Sequence, residues 1–101
     1  MSDWIRLNFI FPPRLETPIT EALSADPHMP GFTLLEVEGH TSDFSKASDA
    51  ERVRGRVKRR LLWLLIPAAK RDEVLQLLRS HVDSRDVRWW TEAVLDIGQL
   101  G

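Results

Sequence analysis

The residues best able to do chemistry crowd into one stretch of this chain. From Gly39 to Arg60 it reads G-H-T-S-D-F-S-K-A-S-D-A-E-R-V-R-G-R-V-K-R-R. Its second half carries Arg52, Arg54, Arg56, Lys58, Arg59 and Arg60. Guanidinium groups hold phosphate or carboxylate through paired, charge-assisted hydrogen bonds. Arg52, Arg54, Arg56 and Lys58, with Gly39 at the start of the stretch, are therefore the candidate set for an anionic effector. The same run could meet an acidic partner or nucleic acid. The plainer reading is a solvated loop and strand end, balanced by Asp43, Asp49 and Glu51. His40 and Asp43 offer an imidazole and a carboxylate, a pairing suited to a divalent metal. His28 or His81 joins them only if the fold brings it near. Thr41 and Ser42 beside His40 and Asp43 suggest nucleophilic catalysis superficially. Adjacency in sequence is not triad geometry, and no oxyanion loop is evident. No catalytic residue is assigned, and the chain reads as a non-enzyme.

Composition bounds the molecule that must position these groups. A chain of 101 residues makes one domain with a small core, so self-association would add stability. A net charge of −1 gives no global attraction to nucleic acid or membrane. The absence of cysteine removes disulfides, thiolate catalysis and cysteine-type zinc sites, and it fits a reducing compartment. The start, M-S-D-W-I-R, lacks the pattern of a signal peptide. Leu61 to Ile66, the longest apolar run, is too short to cross a bilayer. A cytoplasmic protein is expected.

The elements follow from hydrophobic period. Trp4 to Phe11 places Ile5, Leu7, Phe9 and Phe11 on one side of a strand and Arg6 and Asn8 on the other. Pro12-Pro13 ends it. Arg14 to Ala25 sets Leu15, Ile19, Ala22 and Leu23 at helical spacing, with Pro18 in the first turn and Thr17 as an N-cap candidate. Phe32 to Glu38 alternates as a second strand that could run on to Thr41. Ser48 to Val53 could form a helical turn capped by Ser48. Val57 to Ile66 is a third strand stopped by Pro67. Lys70 to Val82 carries Val74, Leu75, Leu77, Leu78 and Val82 on one helical face. Asp86 to Ile97 alternates as a final strand. The order strand, helix, strand, strand, helix, strand is that of an α+β, ferredoxin-like βαββαβ domain. Both helices would cover one face of a four-stranded antiparallel sheet. The segment 39–60 would be a long loop between strands two and three. Polar loops of that length in compact domains are usually functional or disordered.

The uncovered face is not written as a wet surface. An antiparallel sheet with helices on one side should show polar residues to water on the other. The third strand is apolar on both sides: Leu62, Leu64 and Ile66 against Leu61, Trp63 and Leu65. Trp89 and Trp90 must also point to opposite faces, half to the core and half to an interface. Trp63 sits among leucines rather than in the basic, aromatic-interleaved surface that RNA stacking needs. An apolar patch of this size marks an interface, so a homo-oligomer packed through sheet faces or edges is expected, and no nucleic-acid partner.

Gly31-Phe32-Thr33 through Val37-Glu38-Gly39-His40 resembles the strand leading into the T-loop of the PII-like signalling superfamily. Glu51-Arg52-Val53-Arg54-Gly55-Arg56 resembles the E-x-Y-R-G segment on that loop's far side. F-I-F-P-P-R-L-E, G-H-T-S-D and V-R-W-W-T-E-A-V-L-D together are similar to one branch of small PII-like proteins, often encoded beside heavy-metal efflux pumps. The resemblance spans nearly the whole chain through the order and spacing of short motifs. It implies a homotrimer, a T-loop at 39–60 that touches a partner protein, and intersubunit clefts that bind a small effector. In this branch the implied partner is a membrane cation efflux transporter. Two positions depart from the pattern. Val53 stands at the loop tyrosine that some members uridylylate, and the chain has no tyrosine. His81 to Asp86 lacks the glycines that let backbone N–H groups approach phosphate. ATP binding in the usual PII manner therefore does not carry over. An adenine nucleotide held differently, a divalent metal or another anion remains open.

Three functions follow from these readings: a PII-like regulator, a direct divalent-metal binder using His40 and loop carboxylates, and a nucleic-acid-binding ferredoxin-like module using the arginines. The first is the leading expectation.

Overall fold

The computed structural model describes residues 3–40 and 57–101. Strand β1 is Trp4–Phe11, helix α1 Glu16–Ala25, strand β2 Thr33–Gly39, strand β3 Val57–Pro67, helix α2 Arg71–His81 and strand β4 Arg88–Ala93. Short 3-10 turns at Pro13–Leu15 and Ala68–Lys70 lead into the two helices. The four strands form one antiparallel sheet in the order β2-β3-β1-β4. This is the ferredoxin-like arrangement that the element order predicts.

The core lies on one side of the sheet because the strands alternate. Leu7, Phe9 and Phe11 of β1 and Leu62, Leu64 and Ile66 of β3 are fully buried. They pack with Ile19, Ala22 and Leu23 of α1 and Val74, Leu75 and Leu78 of α2, so both helices cover that face. Phe32 and Leu34 close the core from the β2 side. Aliphatic side chains of this size each contribute about 1.5–3 kcal/mol on full burial.

The largest differences from expectation are at α1 and β4. Thr17 is not the N-cap of α1. The Leu15 amide bonds to the Pro12 carbonyl at 3.0 Å, and the 3-10 turn so formed runs straight into the helix at Glu16. Thr17 and Pro18 therefore fall inside the first turn, where amides need no intrahelical partner. Strand β4 starts later, because Asp86 and Val87 form a turn around Ser84. It also ends earlier, at Ala93 rather than Ile97. Its partner β1 begins at Trp4, and the last contact is the Val94 amide to the Trp4 carbonyl at 3.2 Å. Finally, Trp89 and Trp90 do point to opposite faces, but neither is core: they are 41% and 40% exposed in the single chain. As an edge strand, β4 lacks a neighbour on its outer side, and all six of its residues are exposed.

Among the described residues no helix is long and apolar enough to cross a membrane.

Candidate functional site

The 39–60 segment leaves and rejoins the sheet at adjacent positions. Gly39 at the end of β2 lies opposite Val57 at the start of β3. The strands close tightly there: a Cβ on Gly39 would sit 3.3 Å from Val57 Cγ2 and 3.5 Å from Arg59 Cγ. Packing therefore accounts for Gly39 without a ligand. His40 follows directly and is exposed. Lys58 lies exposed on β3 opposite Glu38.

The described part of the basic run is not one patch. Residues on a strand alternate between faces, so Lys58 and Arg60 lie on the helix side and Arg59 on the other. Arg60 is occupied. Its Nε donates to Glu16 Oε1 at 2.6 Å, and its guanidinium lies 3.7 Å from Glu36. That ion pair ties the start of α1 to β3 beside the segment's base. Arg52, Arg54, Arg56 and Asp43 lie outside the described residues, as does the Ser48–Val53 turn. Among the described residues no three His, Asp or Glu side chains converge as a metal site.

A second constellation occupies the open sheet face. The strand register sets it out in cross-strand rows. One row is Leu35, Leu61, Ile10 and Arg88. The next is Thr33, Trp63, Asn8 and Trp90, followed by Leu65, Arg6 and Glu92. Asn8 is fully buried in the middle of this face. Its amide Nδ2 donates to Glu92 Oε2 at 2.7 Å and to the Arg6 carbonyl at 3.2 Å. Its Oδ1 accepts from Arg6 Nε at 2.9 Å. Trp90 Nε1 donates to the same Glu92 oxygen at 3.1 Å. The Arg6 guanidinium stacks over Trp63, 4.5 Å from the ring centroid, a favourable cation–π arrangement.

Sequence reasoning missed this network. Arg6 and Asn8 alternate with the core residues of β1 and so read as solvent-facing. The available signal was Arg6 against Glu92, opposite charges that fall into register once β1 and β4 pair antiparallel. The network anchors Trp63, through the Arg6 stack, and Trp90, through Glu92, on a face that carries no helix.

The geometry defines a class: a ferredoxin-like domain in which the two ends of the segment between β2 and β3 are held side by side on the sheet. The chain belongs to the family described as "Protein of unknown function (DUF3240)", whose model matches residues 1–101. A DUF3240 family protein from Shewanella baltica OS155, solved by crystallography at 2.40 Å, is similar with a TM-score of 0.78 at 20% identity, covering 100% of both chains. Arabidopsis thaliana PII bound to citrate is similar with a TM-score of 0.73 at 14% identity, covering 98% of this chain and 84% of that one. At these identities the likeness is one of fold. No curated protein sequence matches this chain.

Proposed function

We propose that this chain is a non-enzymatic, PII-like regulator that acts as a homotrimer. Its 39–60 segment contacts a partner protein, a membrane cation efflux transporter being the partner the family branch suggests. A small anionic effector held by Arg52, Arg54, Arg56 and Lys58 biases the segment between a partner-binding and a non-binding state. In physical terms the effector must bind one of those states better than the other.

One observation carries this reading. The segment is mounted at its base, Gly39 against Val57, on a domain whose fold is that of PII. An insertion with both ends clamped can change conformation without disturbing the core. The Arabidopsis PII was solved with citrate, a small polyanion, which is the chemistry an arginine-rich run suits.

A thermal-unfolding panel of the purified protein against ATP, ADP, AMP, citrate and divalent metals tests it. A ligand at about a hundred times its Kd adds about 2.7 kcal/mol to native-state stability. Stabilisation by one anion, lost in Arg54→Ala, is the expected result. If no anion shifts the midpoint, the effector part of the proposal fails and partner capture through the segment remains to be tested. The second reading, a divalent metal at His40 and Asp43, is favoured by the exposed position of His40 immediately beyond β2. It predicts a metal-dependent shift that His40→Ala abolishes.

A further inference from the structure

We propose that residues 95–101 form an arm that packs on the open sheet face of a second copy of this chain, over Leu35, Leu61 and Trp63. The inference deepens the self-association reading and rests on it.

The arm has outrun its own sheet. Strand β4 ends at Ala93, and the Val94 amide to the Trp4 carbonyl is its last described bond to β1. The Asp3 carbonyl points to the other side, where it accepts the Ala68 amide at 2.7 Å. Among the described residues, no backbone hydrogen bond joins residues 95–101 to another element. Yet the segment is apolar. Leu95 is 83% exposed, Ile97 46% exposed, and Leu100 entirely so. The chain bends at Leu95 as it leaves the sheet. An apolar segment left this exposed in its own subunit is complete only against another surface.

The acceptor is chosen by where the other exposed apolar side chains lie. Of the large exposed hydrophobics among the described residues, Trp89, Trp90, Leu95, Ile97 and Leu100 lie on β4 and the arm. The remaining one, Leu35, is on β2 at the opposite edge of the sheet. Leu35 continues inward through its register partner Leu61, with Trp63 in the next row, and both of these are half-buried. Donor and acceptor are therefore separated onto the two ends of one sheet. That suits a head-to-tail contact between copies, which closes into a ring when the rotation permits. The flanking charges agree: Arg59 and Arg88 border the strip, and the arm carries one acidic side chain, Asp96. Seven residues reach at most about 23 Å when fully extended, enough to cross several strands at about 4.8 Å spacing.

The chain lacks cysteine, which makes cross-linking clean. Leu35→Cys and Ile97→Cys, carried by chains of different length, are co-refolded and oxidised, with Arg79→Cys on α2 replacing Leu35→Cys as the control. In parallel, a chain ending at Val94 is compared with the full chain by light scattering, with circular dichroism to confirm its fold. The expected results are a disulfide between the two chains at least tenfold above the control, and association weakened at least tenfold by the truncation. A full chain that is multimeric, does not cross-link and keeps its mass when truncated overturns the arm and leaves self-association standing. Association lost on truncation without the cross-link overturns Leu35 as acceptor. A doubly substituted chain that cross-links only to itself shows the arm covering its own sheet and overturns the proposal. A monomeric full chain overturns both readings.

Discussion

Asn8 shows how much one side chain can decide on this molecule. It is buried without being in the core, and its partners, Arg6 and Glu92, both carry charge. Asn8→Leu removes these hydrogen bonds and adds bulk at a fully buried position. A lost hydrogen bond to a charged group costs about 1.5–3 kcal/mol and overpacking about 1–3 kcal/mol, so urea unfolding should show a destabilisation of about 2–4 kcal/mol. Glu92→Gln keeps an acceptor for both Asn8 and Trp90 and should cost under about 1 kcal/mol on the scale of a conserved hydrogen bond. If the two variants are equally stable, Asn8 is not the hub described here. The Arg60–Glu16 pair is a different case. It is short but partly exposed, at 19% and 38% of the side chains. A double-mutant cycle should therefore return only about 0.5–1 kcal/mol, falling as salt is added.

At the scale of elements, β3 is the spine of the domain. It pairs with both β1 and β2 and supplies Leu62, Leu64 and Ile66 to the core. Leu64→Ala should cost about 2–5 kcal/mol, the range for a large-to-small change in a packed core. The segment between β2 and β3 should behave oppositely. Replacing residues 41–56 by a four-residue Gly/Ser turn shortens the loop about fourfold, worth about 1.2 kcal/mol of closure entropy. The sheet should survive this change, and any ligand-induced thermal shift should vanish with it. A variant that fails to fold would show that the segment belongs to the domain's stability rather than to its regulation. The difference between β3 and this segment was already visible in the amino-acid order. Period-two and helical spacing located β1, β3 and both helices, because each buries one regular face. What could not be read depended on neighbours. The end of β4 is set by where β1 begins, the start of α1 by a 3-10 turn through Pro13, and the burial of Asn8 by two strands distant in sequence. The site stayed least legible. Arg60 read as one of six cations balanced by Asp43, Asp49 and Glu51, and only the packing of α1 beside β3 reveals Glu16 as its partner.

For the whole molecule the decisive question is what covers the open face. Helices lie on one side alone, and the other carries Leu35, Ile10, Leu61, Trp63 and Leu65 around the Asn8 network. Antiparallel sheets tolerate a solvated face when that face is polar; here the central polar groups Arg6, Asn8 and Glu92 bond to one another, and large apolar side chains flank them. Association is the physical remedy, and it makes stability depend on concentration. Unfolding followed from micromolar to hundreds of micromolar should show the thermal midpoint rising with concentration. Leu61→Glu tests the cause. Leu61 faces away from the helices and is only half-buried, so a carboxylate there remains solvated in a single subunit but would be desolvated and unpaired in an interface, which is strongly unfavourable. The substituted chain should retain its circular dichroism, run at the 11.6 kDa of one subunit, and lose the concentration dependence of its midpoint. If Leu61→Glu instead stays multimeric with an unchanged midpoint, the open face is not where copies meet, and the contact must run through the exposed edges of β2 and β4.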